Sequence, residues 1–304
     1  MKKILCLIAV VLIVAGGVLM AATFPTMYAE MKNNDEYAEY SENLKNHYDS
    51  VEIHAVNVDV TVTSAADIQP SVNAKTEPWI KVEVVSNGGT LVVKEVDQRK
   101  WYQRIGVFYQ KPSKIEVNLA DGVYSELNIK NTNGNITVQA EPETISFREI
   151  RTNTINGETL INVPADWAFS DSKNGDIRFI VFHDANQVSG TTGIVSGMTT
   201  NGDITDESIA AAKTFVTGNG KITSTGSFGM LHAKTVNGDI FLNRFSGDEV
   251  KIESVNGDIT ATTMVPMKYI TSTRNGRVKV PEKTGNGTLE ISTVNGDITV
   301  ELAD

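Results

Sequence analysis

The sequence predicts an all-β protein, a single-chain, β-helix-like β-solenoid with coils of roughly 19 residues. The dipeptide Asn-Gly recurs along much of the chain at nearly constant intervals. Apolar and polar residues alternate on both sides of most copies, which is typical of strands with one buried face. The chain of 304 residues holds one cysteine, so its stability must come from packing rather than from disulfide bonds.

The N-terminus, residues 1–24, predicts a transmembrane signal-anchor. Residues 4–22 carry no charge, and as a helix they would extend about 28 Å at ~1.5 Å per residue, close to the thickness of a bilayer core. Lys2 and Lys3 precede this run and place the N-terminus in the cytoplasm. A cleaved secretory signal is the alternative, although Leu19 and Met20 fit a cleavage site poorly. Either way the sequence predicts an extracytoplasmic domain, and the anchor predicts a single-pass protein of the cell membrane.

Residues 25–50 form the predicted juxtamembrane stalk. Within this acidic stretch Tyr37, Tyr40, Leu44 and Tyr48 recur at spacings of three and four, which predicts a short amphipathic helix. Such a stripe either packs on the base of the domain or mediates self-association.

Residues 51–130 form an N-terminal β region that contains an aromatic and basic insertion. Residues 99–114 hold five basic and four aromatic residues and no acid, in a chain of net charge −10. This reversal of charge predicts binding to an anionic cell-wall polymer or to lipid headgroups. The alternative is structural, because aromatic side chains could cover the open end of the solenoid. The candidate ligand-binding residues are Arg99, Lys100, Trp101, Tyr102, Arg104, Phe108, Tyr109 and Lys111.

Residues 131–304 contain the repeat itself. Nine Asn-Gly pairs in this region recur at intervals of 23, 18, 27, 18, 18, 19, 19 and 20 residues. The interval of 27 indicates an insertion between residues 164 and 187, in the region of Trp167, Phe169, Phe179 and Phe182. The repeated asparagines are Asn133, Asn156, Asn174, Asn201, Asn219, Asn237, Asn256, Asn275 and Asn295.

Two architectures satisfy this pattern. Asn-Gly is a strong hairpin signal, so an antiparallel β-sandwich or meander is the alternative to the solenoid. Both residues tolerate positive φ, which predicts a sharp bend at each copy. A solenoid favours one coil length and chemically compatible columns, and the intervals fit it better. In stacked coils, Lys221 would lie between Asp203 and Asp239, and Arg277 between Asp258 and Asp297, so that opposite charges alternate.

Composition disfavours several other functions. The negative charge repels nucleic acid. The four histidines lack ligand spacing, and Lys221 and Arg277 would place cations among the repeat aspartates, so we expect no metal or other cofactor. The sequence has no nucleophile elbow and no phosphate loop, which predicts a non-enzymatic protein. The alternative is a polysaccharide-active β-helix enzyme whose carboxylates converge on one outer face.

The chain resembles the DUF4097 family of candidate adhesins, which are bacterial envelope proteins with β-strand repeats. The resemblance is carried by residues 51–62, by the hairpin-like residues 86–93 and by the Asn-Gly-Asp-Ile-Thr units. It implies an exported cell-surface domain for adhesion, or for sensing envelope stress together with a membrane-protein partner. It supplies no catalytic residues.

Overall fold

The computed structural model describes residues 9, 11–19, 21, 22, 25, 37–45, 47–64, 69–99, 112–141, 144–181, 193–226 and 229–303. Residues 11–19 are helical. Among the described residues, no helix is both long enough and apolar enough to cross a bilayer. Half of the predicted anchor, residues 1–24, lies outside the described ranges, as do residues 26–36 and 46 of the stalk.

The described chain is otherwise all-β, as predicted, with 25 strands. They are β1 (Ala38–Asn43), β2 (Ser50–His54), β3 (Asp59–Thr63), β4 (Ser71–Thr76), β5 (Ile80–Asn87), β6 (Thr90–Asp97), β7 (Lys114–Asn118), β8 (Gly122–Lys130), β9 (Ile136–Gln139), β10 (Ile145–Thr154), β11 (Thr159–Asn162), β12 (Ala165–Ser172), β13 (Ile177–Phe179), β14 (Ile194–Thr199), β15 (Ile204–Asp206), β16 (Ala212–Thr217), β17 (Ile222–Thr225), β18 (Met230–Thr235), β19 (Ile240–Phe245), β20 (Glu249–Glu253), β21 (Ile259–Thr263), β22 (Met267–Asn275), β23 (Val278–Lys279), β24 (Gly287–Asn295) and β25 (Ile298–Leu302).

The strands form two sheets that face each other across one core. Sheet I has 13 strands in the order β1-β4-β7-β3-β9-β11-β13-β15-β17-β19-β21-β25-β23. Sheet II has 12 strands in the order β22-β24-β20-β18-β16-β14-β12-β10-β8-β2-β6-β5. A typical coil places one strand in sheet II, turns at an asparagine corner and places the next strand in sheet I. Pairing is parallel except for β1 with β4, β4 with β7 and β5 with β6. The alternative of an antiparallel sandwich or meander is therefore wrong.

Alternation of apolar and polar residues builds the core, because successive side chains of a strand point to opposite faces. In sheet I the first inward position of each strand aligns in register across the coils. Full burial of each aliphatic side chain contributes about 1.5 to 3 kcal/mol. The buried column consists of Val60, Ile136, Thr159, Ile177, Ile204, Ile222, Ile240, Ile259 and Ile298.

The glycine of each corner is required by close approach of the neighbouring coil. A Cβ built on any of the nine repeat glycines would lie 1.9 to 2.2 Å from a backbone carbonyl oxygen of the adjacent coil. Positive φ occurs at Gly88, Gly89, Gly122 and Gly226, and at none of these corner glycines. The prediction that Asn-Gly bends the chain through positive φ is therefore wrong. The missing side chain provides room for a second backbone.

The corner asparagines form a ladder of side-chain hydrogen bonds. Each Nδ2 donates to the Oδ1 of the asparagine one coil nearer the N-terminal end of the stack, at 2.6 to 2.8 Å. The ladder begins at Asn57, which is not part of the Asn-Gly pattern because Val58 stands where the other copies have glycine. Threonine hydroxyls add a second column, as Thr217 Oγ1 donates to the Gly202 carbonyl at 2.9 Å.

Aspartate follows the corner because its carboxylate accepts the backbone N–H of the next coil. The Lys221 amide donates to Asp203 Oδ1 and the Asp258 amide donates to Asp239 Oδ1, both at 2.8 Å. The coil order β15-β17-β19 confirms that Lys221 lies between Asp203 and Asp239. Lys221 Nζ also lies over the Phe241 ring, 4.4 Å from its centre.

The coils at both ends of the stack are out of sequence order. The last coil, β24 and β25, lies between the coil β20–β21 and the coil β22–β23. At the other end the first coil, β2 and β3, lies between β8–β9 and β6–β7. The prediction that Arg277 lies between two aspartates is therefore wrong, because Arg277 belongs to the outermost coil. Arg277 pairs with Asp297 at 2.7 Å, and Asp297 is the residue between Asp258 and Arg277.

The stalk helix predicted from the tyrosine stripe is also wrong over residues 38–43. These residues form β1, which pairs antiparallel with β4 at the edge of sheet I. A sheet edge satisfies the backbone hydrogen bonds of one side of the strand, so the segment does not need helical bonds. Leu44 and Tyr48, beyond the strand, are buried in the core. The stripe therefore packs on the base of the domain.

Candidate functional site

The predicted basic and aromatic segment lies between β6 and β7, where other coils have an Asn-Gly corner. Of its eight candidate residues only Arg99 lies within the described ranges. The other seven predictions, Lys100, Trp101, Tyr102, Arg104, Phe108, Tyr109 and Lys111, fall outside them. The segment thus replaces the standard corner in the outermost coil of the N-terminal end.

Arg99 is held within the protein. Its guanidinium donates to both oxygens of Asp97, with Nη2 at 2.8 Å from Oδ2, and lies 5.7 Å from the centre of the Trp79 ring. These hydrogen bonds raise the pKa of Arg99 above its ordinary value, against the opposing effect of burial. A bidentate, partly shielded pair fixes the guanidinium plane. Arg99 therefore anchors the base of the segment.

The outer face of sheet II carries an exposed apolar patch that we call the apolar platform. It consists of Trp167, Phe169, Ile194, Met198, Val216 and Met230. The strand register places Trp167, Ile194, Ala212 and Met230 side by side in one row across four strands. Met198 is paired with Val216 on the neighbouring strand. Neighbouring strands lie ~4.8 Å apart, and successive residues of a strand lie ~3.3 Å apart. A patch that is four strands wide and five residues long therefore measures about 14 Å by 13 Å.

The platform residues are large and accessible. The exposed fractions are 46% for Trp167, 39% for Ile194, 47% for Met198 and 55% for Met230. Apolar side chains scattered singly on a surface need no explanation, whereas contiguous ones mark interaction sites. The predicted insertion in this region is wrong for Trp167 and Phe169, because both lie in the regular strand β12. Residues 182–192, which hold the extra length, are outside the described ranges.

Charged clusters border the platform on both sides. On one side the Arg151 guanidinium lies 4.8 Å from the centre of the Phe169 ring and pairs with Glu149. On the other side Glu253 binds Lys251 at 2.9 Å and Lys234 at 3.4 Å. The hydrogen bond from Lys251 is the largest of the effects that lower the pKa of Glu253. The rim charges are thus largely paired with one another, and Ser196, Thr214 and His232 lie between the two rows that hold the apolar side chains.

A buried ion pair lies behind the platform, inside the solenoid. Lys213 occupies an inward position of β16 between Val195 and Leu231, and its Nζ lies 2.8 Å from Asp206 Oδ2. Both side chains are fully buried. Burial lowers the pKa of Lys213, and Asp206 partly opposes that shift. Lys213 and Phe215 are two residues apart in one strand, so their side chains point to the same face. A buried Phe215 therefore could have predicted that Lys213 is a charge in the core.

Lys213 and Asp206 satisfy each other's hydrogen bonds almost completely. Lys213 Nζ also donates to the Ser208 carbonyl at 2.6 Å and to the Thr225 carbonyl at 3.3 Å. Asp206 accepts from the Ser224 hydroxyl at 2.6 Å and from the Ser208 amide at 3.1 Å. Such a closed network is typical of a structural pair, because every polar group that lost water has a partner.

The described residues include a groove of about 260 Å³ along β1, β4 and β7. Its polar groups are used internally, as Lys114 pairs with Glu116 at 2.5 Å and the Ser41 hydroxyl donates to Asn73 at 2.7 Å. Within the described ranges, no three His, Cys, Asp or Glu side chains cluster as metal ligands would. The outer face of sheet II thus offers a flat surface for contact.

The protein is a β-solenoid with a repeated corner. This class is defined by its two facing sheets of mostly parallel strands, its asparagine ladder and its flat apolar face. The model of the Toastrack DUF4097 family matches residues 48–301, and the chain belongs to that family. No curated protein matches the chain.

Several solved structures are similar to this chain at low sequence identity. A candidate adhesin from Parabacteroides merdae is 13% identical, with 89% of this chain and 98% of that chain covered and a TM-score of 0.47. A candidate lipid-binding protein from Parabacteroides distasonis is 12% identical, with 89% and 98% covered and a TM-score of 0.44. A candidate adhesin from Bacteroides fragilis is 14% identical, with 73% and 98% covered and a TM-score of 0.37.

Proposed function

We propose that this chain is a non-enzymatic cell-envelope protein that presents an adhesin-like β-repeat domain outside the membrane, and that the apolar platform is its binding surface. The observation that carries the proposal is the set of large apolar side chains exposed on β12, β14 and β18 of sheet II, namely Trp167, Ile194, Met198 and Met230. Exposed tryptophan and methionine in a patch that is bordered by charged residues are typical of a contact surface.

The shape of the platform favours an extended ligand. Sites for small molecules are concave and enclose most of the ligand, whereas this patch is the flat outer face of a sheet. A cell-wall polymer can lie along such a face and contact several strands at once. The basic segment after β6 is the second proposed contact, for the anionic groups of the same polymer or for lipid headgroups. A membrane-protein partner, as envelope-stress sensing requires, would use the same platform.

The location outside the membrane rests on the sequence. Lys2 and Lys3 followed by the uncharged residues 4–22 support export and anchoring of the chain. Both a retained anchor and a cleaved signal would deliver the solenoid to the same compartment.

Binding of the purified full chain to cell-wall fractions tests the proposal. A Trp167→Ser, Met230→Ser double variant removes the two most distant members of the platform row. We expect a loss of affinity of roughly thirtyfold, the effect of removing interface residues worth about 2 kcal/mol. Ile270→Ser is the matched control, because Ile270 is 45% exposed on the same face but lies in the edge strand β22.

Anionic vesicles and an Arg99→Ala, Lys100→Ala, Arg104→Ala variant complete the experiment. Loss of vesicle binding in this variant, with wall binding retained, would assign the basic segment to lipid headgroups. Equal wall binding by the wild type and the platform variant would refute the platform as the binding surface. Depolymerisation of a wall polysaccharide by the protein would refute the non-enzymatic function.

A further inference from the structure

Eleven Asn-Gly pairs occur in the chain, and two of them lie outside the asparagine ladder. These are Asn87-Gly88 and Asn286-Gly287. Asn-Gly is chemically labile in water because glycine has no side chain to obstruct its own amide nitrogen. That nitrogen attacks the asparagine Cγ, the new C–N bond closes a succinimide ring, and the amide nitrogen of the side chain leaves as ammonia. Water then opens the ring to aspartate or isoaspartate.

The reaction requires both reacting groups to move. The asparagine side chain must rotate so that its Cγ meets the glycine nitrogen, and the glycine N–H must lose its proton. In the ladder, Asn237 Nδ2 donates to Asn219 Oδ1 at 2.6 Å while Asn237 Oδ1 accepts from Asn256 Nδ2 at 2.8 Å. Rotation of one rung therefore breaks two hydrogen bonds.

The glycine nitrogen is held as well. The amides of Gly134, Gly238, Gly257 and Gly296 donate to asparagine carbonyls of the adjacent coil at 3.0 to 3.2 Å. A second coil also lies so close to each repeat glycine that no Cβ would fit. The tight stacking that the corner needs is thus the same feature that keeps its reactive atoms apart.

The two asparagines outside the ladder lack its side-chain hydrogen bonds, although a Cβ built on Gly287 would still lie 2.6 Å from the Gly247 carbonyl oxygen. Asn87 is exposed in the turn between β5 and β6, where Gly88 has φ +56° and no atom lies within 4 Å of a built Cβ. Asn286 is exposed in the connection before β24. Neither side chain makes a hydrogen bond within the described part of the chain.

We propose that Asn87 and Asn286 are sites of spontaneous deamidation and that the ladder protects the nine repeat asparagines from the same reaction. Each event adds one negative charge to a chain of net charge −10. At Asn286 the new carboxylate lies in the connection that follows the outermost coil, and residues 267–286 also carry Lys268, Arg274, Arg277, Lys279 and Lys283. The modification therefore alters the charge at one end of the solenoid and leaves the corners unchanged.

Peptide mapping by mass spectrometry tests the proposal on the folded full chain, incubated in mildly alkaline buffer, beside the same chain in urea. In the folded chain we expect Asn87 and Asn286 to gain aspartate or isoaspartate roughly thirtyfold faster than Asn237, the factor that two hydrogen bonds contribute to an opening equilibrium. In urea we expect all eleven sites to react at similar rates. Equal rates at Asn87 and Asn237 in the folded chain would overturn the proposal.

An Asn219→Ala variant separates the ladder from general burial. It removes the acceptor of Asn237 and the donor to Asn201. We expect deamidation to rise about fivefold at these two neighbours, the effect of one lost hydrogen bond. Asn156 lies two or more coils away from Asn219 and is the internal control. Its deamidation rate should not change. If Asn201 and Asn237 stay as slow as Asn156 in a variant that remains folded, the side-chain ladder is not the protecting element.

Discussion

Substitution of one corner glycine tests the close approach of the coils directly. In Gly238→Ala the new Cβ would lie 1.9 Å from the Gly220 carbonyl oxygen and 2.6 Å from its carbon. Ordinary contacts of a Cβ begin near 3.4 Å, so the two coils must separate by more than 1 Å. The Gly220 carbonyl is part of the backbone, so it cannot move away from the new Cβ by a change of side-chain rotamer.

The decrease in the free energy of unfolding can be estimated from the hydrogen bonds that break when the two coils separate. The Thr235 hydroxyl donates to the Gly220 carbonyl at 3.0 Å, and Asn237 donates to Asn219 at 2.6 Å. Two hydrogen bonds at about 1 kcal/mol each, together with looser packing around the buried Ile240, give an expected loss of about 3 kcal/mol. In a repeat protein such a defect weakens the interface between neighbouring coils, so cooperativity of unfolding should also fall.

Gly193→Ala is the matched control. There the nearest atom to a built Cβ, the Asp166 carbonyl oxygen, lies at 3.5 Å, which is ordinary contact. We expect the free energy of unfolding of this variant to stay within about 0.5 kcal/mol of the wild type. Urea unfolding followed by circular dichroism measures both variants. A Gly238→Ala protein as stable as Gly193→Ala would refute the reasoning.

Two further predictions concern charges. Lys213→Met leaves the buried Asp206 without its cation, so we expect the free energy of unfolding, measured in urea, to fall by about 3 to 5 kcal/mol. Adding Asp206→Leu should restore part of that loss. Unchanged stability of the single variant would contradict the buried pair. The hydrogen bond from Arg277 lowers the pKa of Asp297, so its stabilising effect is present above the ordinary aspartate pKa and is lost as pH falls through the lowered one. In Arg277→Gln the Asp297 pKa should rise toward its ordinary value by NMR titration, and a titration identical to the wild type would argue against the contact.

The middle of the solenoid could be predicted from sequence because its information is local. The regular intervals from Asn201 to Asn256 correctly predicted stacked coils with Lys221 between two aspartates. The inward isoleucines followed from alternation alone. Here each coil resembles its neighbours, so the period of the sequence is also the period of the structure.

The ends and the binding surface could not be predicted in this way. Coil order at an end depends on which strand covers which edge, and the Arg277 corner has the same sequence pattern wherever its coil lies. The tyrosine stripe at residues 37–48 fits a helix and an edge strand equally, and pairing with β4 decides between them. Trp167 and Met230 are 63 residues apart in sequence, and only the register of the strands between them brings both to one face.

The wedged final coil has a mechanical consequence. If the coils followed sequence order, tension on the C-terminus would peel the last strand from a single neighbour, one hydrogen bond after another. Here β25 is bonded on one side to β21 and on the other to β23. A pull on the chain end must therefore slide the strand out from between two others, so that both rows of bonds resist at once. A solenoid built this way resists unravelling from β25.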